Sequence, residues 1–209
     1  MTGTGSSPAG SPGRPLCARC GNPLARCLCT LISDKVDNLV DVLLLQHPLE
    51  QAQAKGTAKL LSMSLRHCRL LVGERFDEQL LLAALYAPAV DGSPVQPVLL
   101  YPEDARAPHF VPGAWPAQRL RLVVVDGTWR KSRKMLMLNP ALQTLPRLAL
   151  SDAPPSRYVL RRAEGPEQRS SLEATLLALE QLEGTGARYA TVWAAMDRLM
   201  EQLASRIPR

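Results

Sequence analysis

Four of the five cysteines stand within thirteen residues, as Cys17, Cys20, Cys27 and Cys29, in the spacing C-x2-C-x6-C-x-C. Two short chelating pairs separated by a tight loop can set four thiolates tetrahedrally around one zinc ion. Disulfide pairing is the competing use of the same residues, and a reducing compartment disfavours it. With thiolate in all four positions the zinc is expected to be structural. Residues 15–30 are too few for a core of their own, so this knuckle depends on its metal. Cys68 lies apart in an apolar pattern that reads as helical, and is expected to be a buried small side chain.

Four other stretches share one geometry: an apolar run gives way at once to polar residues. They are Gln46-His47-Pro48-Leu49-Glu50, Leu100-Tyr101-Pro102-Glu103-Asp104, Asp126-Gly127-Thr128-Trp129 and Ser156-Arg157-Tyr158. In open parallel sheets ligands bind outside the carboxyl ends of strands, where such residues would stand. Asp-Gly and His-Pro after a strand also make ordinary turns. Asp126 follows Val123-Val124-Val125, so a rigid strand would present its carboxylate at the sheet edge, either as a base or as a turn and capping residue. His47 reads either as a base or as an end-of-strand hydrogen-bonding group. Gly127 admits close approach of backbone or ligand, and Thr128 suits the cap of a helix whose first turn carries Trp129, Arg130 and Lys131. Trp129 is either core or an aromatic platform for base stacking beside basic residues.

These side chains need elements to hold them. Leu39–Gln46 and Leu120–Val125 read as short buried strands, with Gln79–Tyr86 and Val95–Tyr101 as further strand candidates closed by Pro and Gly. Helical periodicity covers Glu50–Leu71, a segment from about Thr128 to before Pro140, Ser171–Leu182 and Ala187–Arg206. The last two are separated by Gly184-Thr185-Gly186, and Ser170 or Ser171 serves as an N-cap. Strands interleaved with helices make an α/β fold with a mostly parallel sheet flanked by helices. Residues 1–14 are rich in Gly, Ser, Pro and Thr and are expected to be a disordered tail, followed by the knuckle at 15–30 and one main domain at 31–209.

Composition agrees with one main domain. Of 209 residues 46% are hydrophobic and 21% charged, which excludes a disordered polyelectrolyte. No apolar run approaches the roughly 18–20 residues that span a bilayer, and the first fourteen residues carry no apolar signal core, so the expected compartment is the cytoplasm. The net charge of +6 is concentrated. Arg119–Arg169 holds eleven Lys and Arg against four acids, which leaves the rest of the chain near neutral. Such a segment suits a polyanion, with Arg130, Lys131, Arg133, Lys134, Arg157, Arg161 and Arg162 as candidate RNA contacts.

Taken in order, the four cysteines, His47-Pro48-Leu49-Glu50, LLYPEDA (99–105), VVVDGTWRKSRKML (123–136), SRYVLRR (156–162) and SSLEA (170–174) resemble the DTW-domain family of tRNA-uridine aminocarboxypropyltransferases, from Cys17 to the C-terminal helices. The chain departs from the family at Gly56-Thr57-Ala58-Lys59, where Asn-Thr-Gly-Arg is usual, at Val159, where a basic residue is common, and at Ser170-Ser171 in place of Ser-Thr. The resemblance implies transfer of the 3-amino-3-carboxypropyl group from S-adenosylmethionine to N3 of a tRNA uridine, leaving methylthioadenosine. It also implies a SPOUT-like fold with a C-terminal trefoil knot. Tyr101, Pro102, Asp126, Gly127, Thr128, Trp129, Ser156, Tyr158, Ser171 and Glu173 then form the donor site. Asp126 is the candidate base with His47 behind it, since an imide nitrogen is a poor nucleophile until its proton leaves. Arg157, Arg161 and Arg162 are candidates for the donor carboxylate, and Glu173 for its amino group or for the helix dipole. Two rivals stand beside this: an RNA methyltransferase using the same donor, and a non-catalytic zinc-containing RNA-binding protein.

Overall fold

The computed structural model describes residues 15–51, 57–150, 154, 156 and 169–205. The expected tail at 1–14 lies outside them, as do Arg157, Tyr158, Arg161 and Arg162. The chain divides into two compact units, Met1–Thr30 and Leu31–Arg209.

In the larger unit five strands form one parallel sheet: β1 (Asp41–Gln46), β2 (Cys68–Val72), β3 (Gln96–Leu100), β4 (Leu120–Asp126) and β5 (Arg147–Leu148). Their spatial order is β2-β1-β4-β3-β5. β1 and β4 are central and almost wholly apolar, because helices cover both faces of the sheet. Side chains alternate between those faces. Leu43, Leu45, Leu99 and Val123 pack with Leu81 and Leu85 of α2 (Glu78–Tyr86), Met135 and Leu136 of α3 (Trp129–Leu138) and Leu142 of α4 (Pro140–Gln143). The opposite layer is built from α1 (Thr57–Ser64), α5 (Ser171–Glu183) and α6 (Ala190–Ala204), with α5 lying against β3 and β4 and α1 against α5 and α6. Each fully buried leucine contributes roughly 1.5–3 kcal/mol of transfer free energy, so these two layers dominate the stability of the unit.

Two expected elements are corrected. Gln79–Tyr86 is not a strand but α2, because the Asp77 carboxylate caps it by accepting the Leu80 N–H at 3.0 Å and Leu81 and Leu85 meet the core one turn apart. The helix expected over Glu50–Leu71 is only α1, and Cys68 opens β2, an edge strand whose run Cys68-Arg69-Leu70-Leu71-Val72 pairs with Val42–Gln46. Burial pushes the Cys68 thiol up to about 12. Ser170 rather than Ser171 is the cap of α5, in a reciprocal capping box with Glu173.

The sheet ties charge at one end. Arg121, 1% exposed, forms an ion pair with Asp41, its register partner on β1, and donates to the carbonyls of Ala84 and Leu85 at the end of α2. One of the eleven cations of the basic segment is therefore internal and closed to any polyanion.

Candidate active site and metal centre

In a parallel sheet all strands end on one edge, and here those ends gather the polar residues. Helices that follow β1 and β4 lie on opposite faces, so the two strands flank the topological switch point where α/β sheets bind ligands. Gln46 and Asp126 are register partners there. Asp126 Oδ2 accepts from Gln46 Nε2 at 2.9 Å, and Oδ1 accepts from the Ser171 hydroxyl at 2.6 Å. The Asp126 carbonyl accepts the His47 N–H at 2.9 Å. Thr128, not Asp126, caps α3. Gly127 is needed for close approach: a Cβ there would lie 3.2 Å from Lys131 Cβ and 3.6 Å from His47 Cβ.

His47 is buried and has both ring nitrogens engaged. Nδ1 accepts the Leu49 N–H at 3.1 Å, which leaves the proton on Nε2, 3.0 Å from Glu74 Oε1. Lys134 reaches the same Glu74 oxygen at 3.0 Å. The Lys134 ammonium, followed by His47, holds the Glu74 carboxyl below the ordinary carboxylate value. Asn139 fixes the loop that carries Glu74, donating to its carbonyl and accepting the Phe76 N–H. Lys131 is bound to Glu50 at 2.7 Å. Thus Lys131 and Lys134 are ion-paired at this edge, whereas Arg130 and Arg133 are exposed on α3 and have no partner among the described residues.

Tyr101 directly follows β3 and meets Trp129 edge-on, with ring centroids 5.6 Å apart and planes at 74°. Trp129 is 45% exposed, so it is not core. The Tyr101 hydroxyl lies 3.3 Å from Ser132 Oγ. Arg147 stands over the Tyr101 ring at 5.4 Å and donates to the Pro102 carbonyl at 3.0 Å, fastening the loop after β3. Glu173 is turned to its own helix end, with Ser156 Oγ donating to both carboxylate oxygens at 3.0 and 2.9 Å and Ser170 N–H donating at 3.0 Å. A cleft of about 410 Å³ between α5 and α6 is lined by Glu173, Glu180, Trp193 and Asp197 and contains neither Asp126 nor His47.

Sequence reasoning assigned no role to Gln46, Glu74, Asn139 or Arg147. Glu74 had a usable signal, since it follows Gly73 directly after β2, but the helical reading of that strand concealed it.

In the smaller unit the four sulfurs of Cys17, Cys20, Cys27 and Cys29 all lie within 4.8 Å of one another. The Cys17–Cys29 and Cys20–Cys27 separations are both 3.8 Å. Tetrahedral thiolates at 2.3 Å from zinc would stand about 3.8 Å apart, so the cluster could hold such an ion. Gly21, with φ 64°, makes the turn that returns its N–H to the Cys17 carbonyl at 2.7 Å. Loop N–H groups of Cys20 and Arg19 draw the Cys17 thiol down to about 6. Burial, and then the sulfur of Cys17, push Cys29 up to about 12. Four crowded thiols cannot all ionise unaided, and a divalent cation removes that conflict.

A doubly covered parallel sheet with a carboxylate at its switch point defines an α/β domain. The chain belongs to the DTW domain family, which matches residues 14–206. It is similar to tRNA-uridine aminocarboxypropyltransferase 2 of Macaca fascicularis, with 27% identity over 81% of this chain and 57% of the relative. The mouse protein of that name is 26% identical over 89% of this chain and 62% of its own length. The Drosophila melanogaster one is 29% identical over 81% and 67%. The chain thus spans less than two thirds of the first two relatives. No helix among the described residues is long and apolar enough to cross a membrane.

Proposed function

We propose that the chain transfers the 3-amino-3-carboxypropyl group of S-adenosylmethionine to N3 of a uridine in tRNA. The observation that carries this reading is the Asp126 carboxylate at the switch point, held by two neutral donors with no cation paired to it among the described residues. Such a carboxylate beside the Tyr101–Trp129 pair fits a cationic donor, since aromatic faces and a negative oxygen both favour a sulfonium. When bound, S-adenosylmethionine supplies an alkyl group on a sulfonium leaving group, and methylthioadenosine is what remains.

The chain's own residues do the rest. Asp126 accepts the imide proton from N3, and His47 holds the adjoining turn through its N–H to the Asp126 carbonyl. Tyr101, Pro102, Gly127, Thr128 and Trp129 border the donor at the strand ends. Ser171 and Ser156 with Glu173 fix the start of α5 beside it. Arg130 and Arg133 face solvent beside the site and bind phosphates, with Lys131 and Lys134 contributing where their carboxylate partners allow. Cys17, Cys20, Cys27 and Cys29 hold a structural zinc, because four thiolates leave no open coordination position. Reduced thiols suit the cytoplasm. A SPOUT-like trefoil knot belongs to the same reading. It is supported by the return of the chain from edge strand β5 to α5, which packs on the central strand β4.

The test is mass spectrometry of tRNA nucleosides from cells with and without the gene, with loss of 3-(3-amino-3-carboxypropyl)uridine expected. In vitro, donor labelled in its aminobutyrate chain should mark the tRNA. Label passing only from the methyl group would identify a methyltransferase instead. Calorimetry without any donor binding would leave an RNA-binding module.

A further inference from the structure

β1 and β4 are paired through both ends, and the end pairs differ in kind. At the amino ends Asp41 faces Arg121, a carboxylate matched by a buried guanidinium. At the carboxyl ends Asp126 faces Gln46, a carboxylate matched by a carboxamide. The second donor, Ser171, is again neutral. Cations are close by, but Lys131 is bound to Glu50 and Lys134 to Glu74. The capping box formed by Ser170 and Glu173 fixes the first turn of α5 and so the place of Ser171. Each carboxylate oxygen of Asp126 therefore receives one hydrogen bond from a different element. A carboxylate offers about four acceptor positions, so about two stay open among the described residues, and the residue keeps 9% exposure.

We propose that Gln46 and Ser171 are positioning residues that aim the Asp126 carboxylate at the substrate imide without pairing it to a positive charge. This rests on the reading of Asp126 as the base. In the step concerned the N3–H bond breaks, the proton passes to a carboxylate oxygen of Asp126, and the electron pair stays on N3. A salt bridge such as Asp41–Arg121 would fix the group equally well but would compete for the lone pairs that must take the proton. Neutral donors fix it without a paired positive charge.

The experiment is the single-turnover rate against pH for the full chain, with saturating S-adenosylmethionine and tRNA from cells lacking the gene. Wild type, Gln46→Leu, Ser171→Ala and Asp126→Asn are compared, each with a thermal melt and donor affinity by calorimetry. Removing a donor to the carboxylate favours its protonated form. Gln46→Leu and Ser171→Ala should therefore move the acid limb of the profile to higher pH. They should also slow turnover by about 10–10²-fold through misalignment, with donor affinity nearly unchanged in Gln46→Leu. Should Gln46→Leu fail to fold, Gln46→Glu keeps the shape and sets two carboxylates to share a proton, which must also raise the acid limb. An acid limb that stays put, with rate losses that merely follow lost thermal stability, overturns the positioning role. The base itself is judged separately: Asp126→Asn should lose about 10²–10⁴ in rate, and wild-type turnover in that variant refutes the underlying reading.

Discussion

Replacing Arg121 by Met tests how the sheet is held together at the end away from the site. The methionine keeps most of the aliphatic stem but removes the guanidinium, which bonds Asp41 through two nitrogens and the carbonyls of Ala84 and Leu85 through a third. Removing one partner of a buried pair costs about 3–5 kcal/mol. The lower figure applies, because the Asp41 side chain is 25% exposed and water can reach it once the arginine is gone. Both carbonyls lose this donor, but Ala84 keeps Arg69 Nη2 at 3.0 Å, so the loss at Leu85 is the one that counts, for about 1 kcal/mol. The expected loss is about 4 kcal/mol, or a fall in Tm of roughly 8–16 °C for a chain of this size.

Urea denaturation and thermal melts measure this loss on the single variant and on Arg121→Met with Asp41→Leu. Removing both charges should restore stability to within about 1–2 kcal/mol of wild type, since no unpaired carboxylate is left. Activity at low temperature should survive in both, because the pair lies at the opposite end of β1 and β4 from Asp126. A single variant within about 1 kcal/mol of wild type would mean that Arg121 does not hold this end of the sheet. A double variant as damaged as the single one would refute the unpaired carboxylate as the cause.

Reduced, purified protein should contain one zinc per chain by elemental analysis. Cys17→Ser or Cys27→Ser should abolish it, Cys68→Ser should leave it unchanged, and metal-free wild type would end the assignment. Affinity for RNA should fall steeply with salt, and Arg130→Ala with Arg133→Ala should flatten the log–log slope by about 0.7–0.9 for each phosphate that is no longer neutralised. An unchanged slope in that double variant would place the RNA on another surface. Lys131→Ala should change the slope less, since its ammonium is already bound to Glu50. Glu74, whose carboxyl is held low by Lys134 and then His47, stabilises the fold above its ordinary value of 4.5 and loses that contribution as pH falls through its lowered folded-state value. Melts between pH 6 and pH 3 should therefore show an acid decline that Glu74→Gln makes shallower, and identical profiles for the two proteins would exclude the contribution.

The cysteine spacing, the two apolar runs that became β1 and β4, and the helices after Thr128 and Ser170 are local properties, legible because periodicity, capping residues and short chelate loops act between near neighbours in sequence. Asp126 was legible for the same reason, as the polar residue that ends a buried run. The assignment of β2 and α2 was not. Both are short and leucine-rich, and periodicity alone cannot divide such runs between strand and helix; β2 is settled by its pairing with β1, and α2 by the Asp77 cap and the core beneath Leu81 and Leu85. Nor does any local pattern distinguish Arg121 from Arg130. One is drawn inside by Asp41, 80 positions away, and the other is left on the surface. The partners of Asp126 were hidden in the same way, because Gln46 and Ser171 lie 80 and 45 positions from it. Sequence determined which groups were at hand for chemistry. Only the pairing of distant strands and the return of α5 to the sheet decided which carboxylate would be neutralised by a cation and which left open, since that depends on which side chains meet when the core closes.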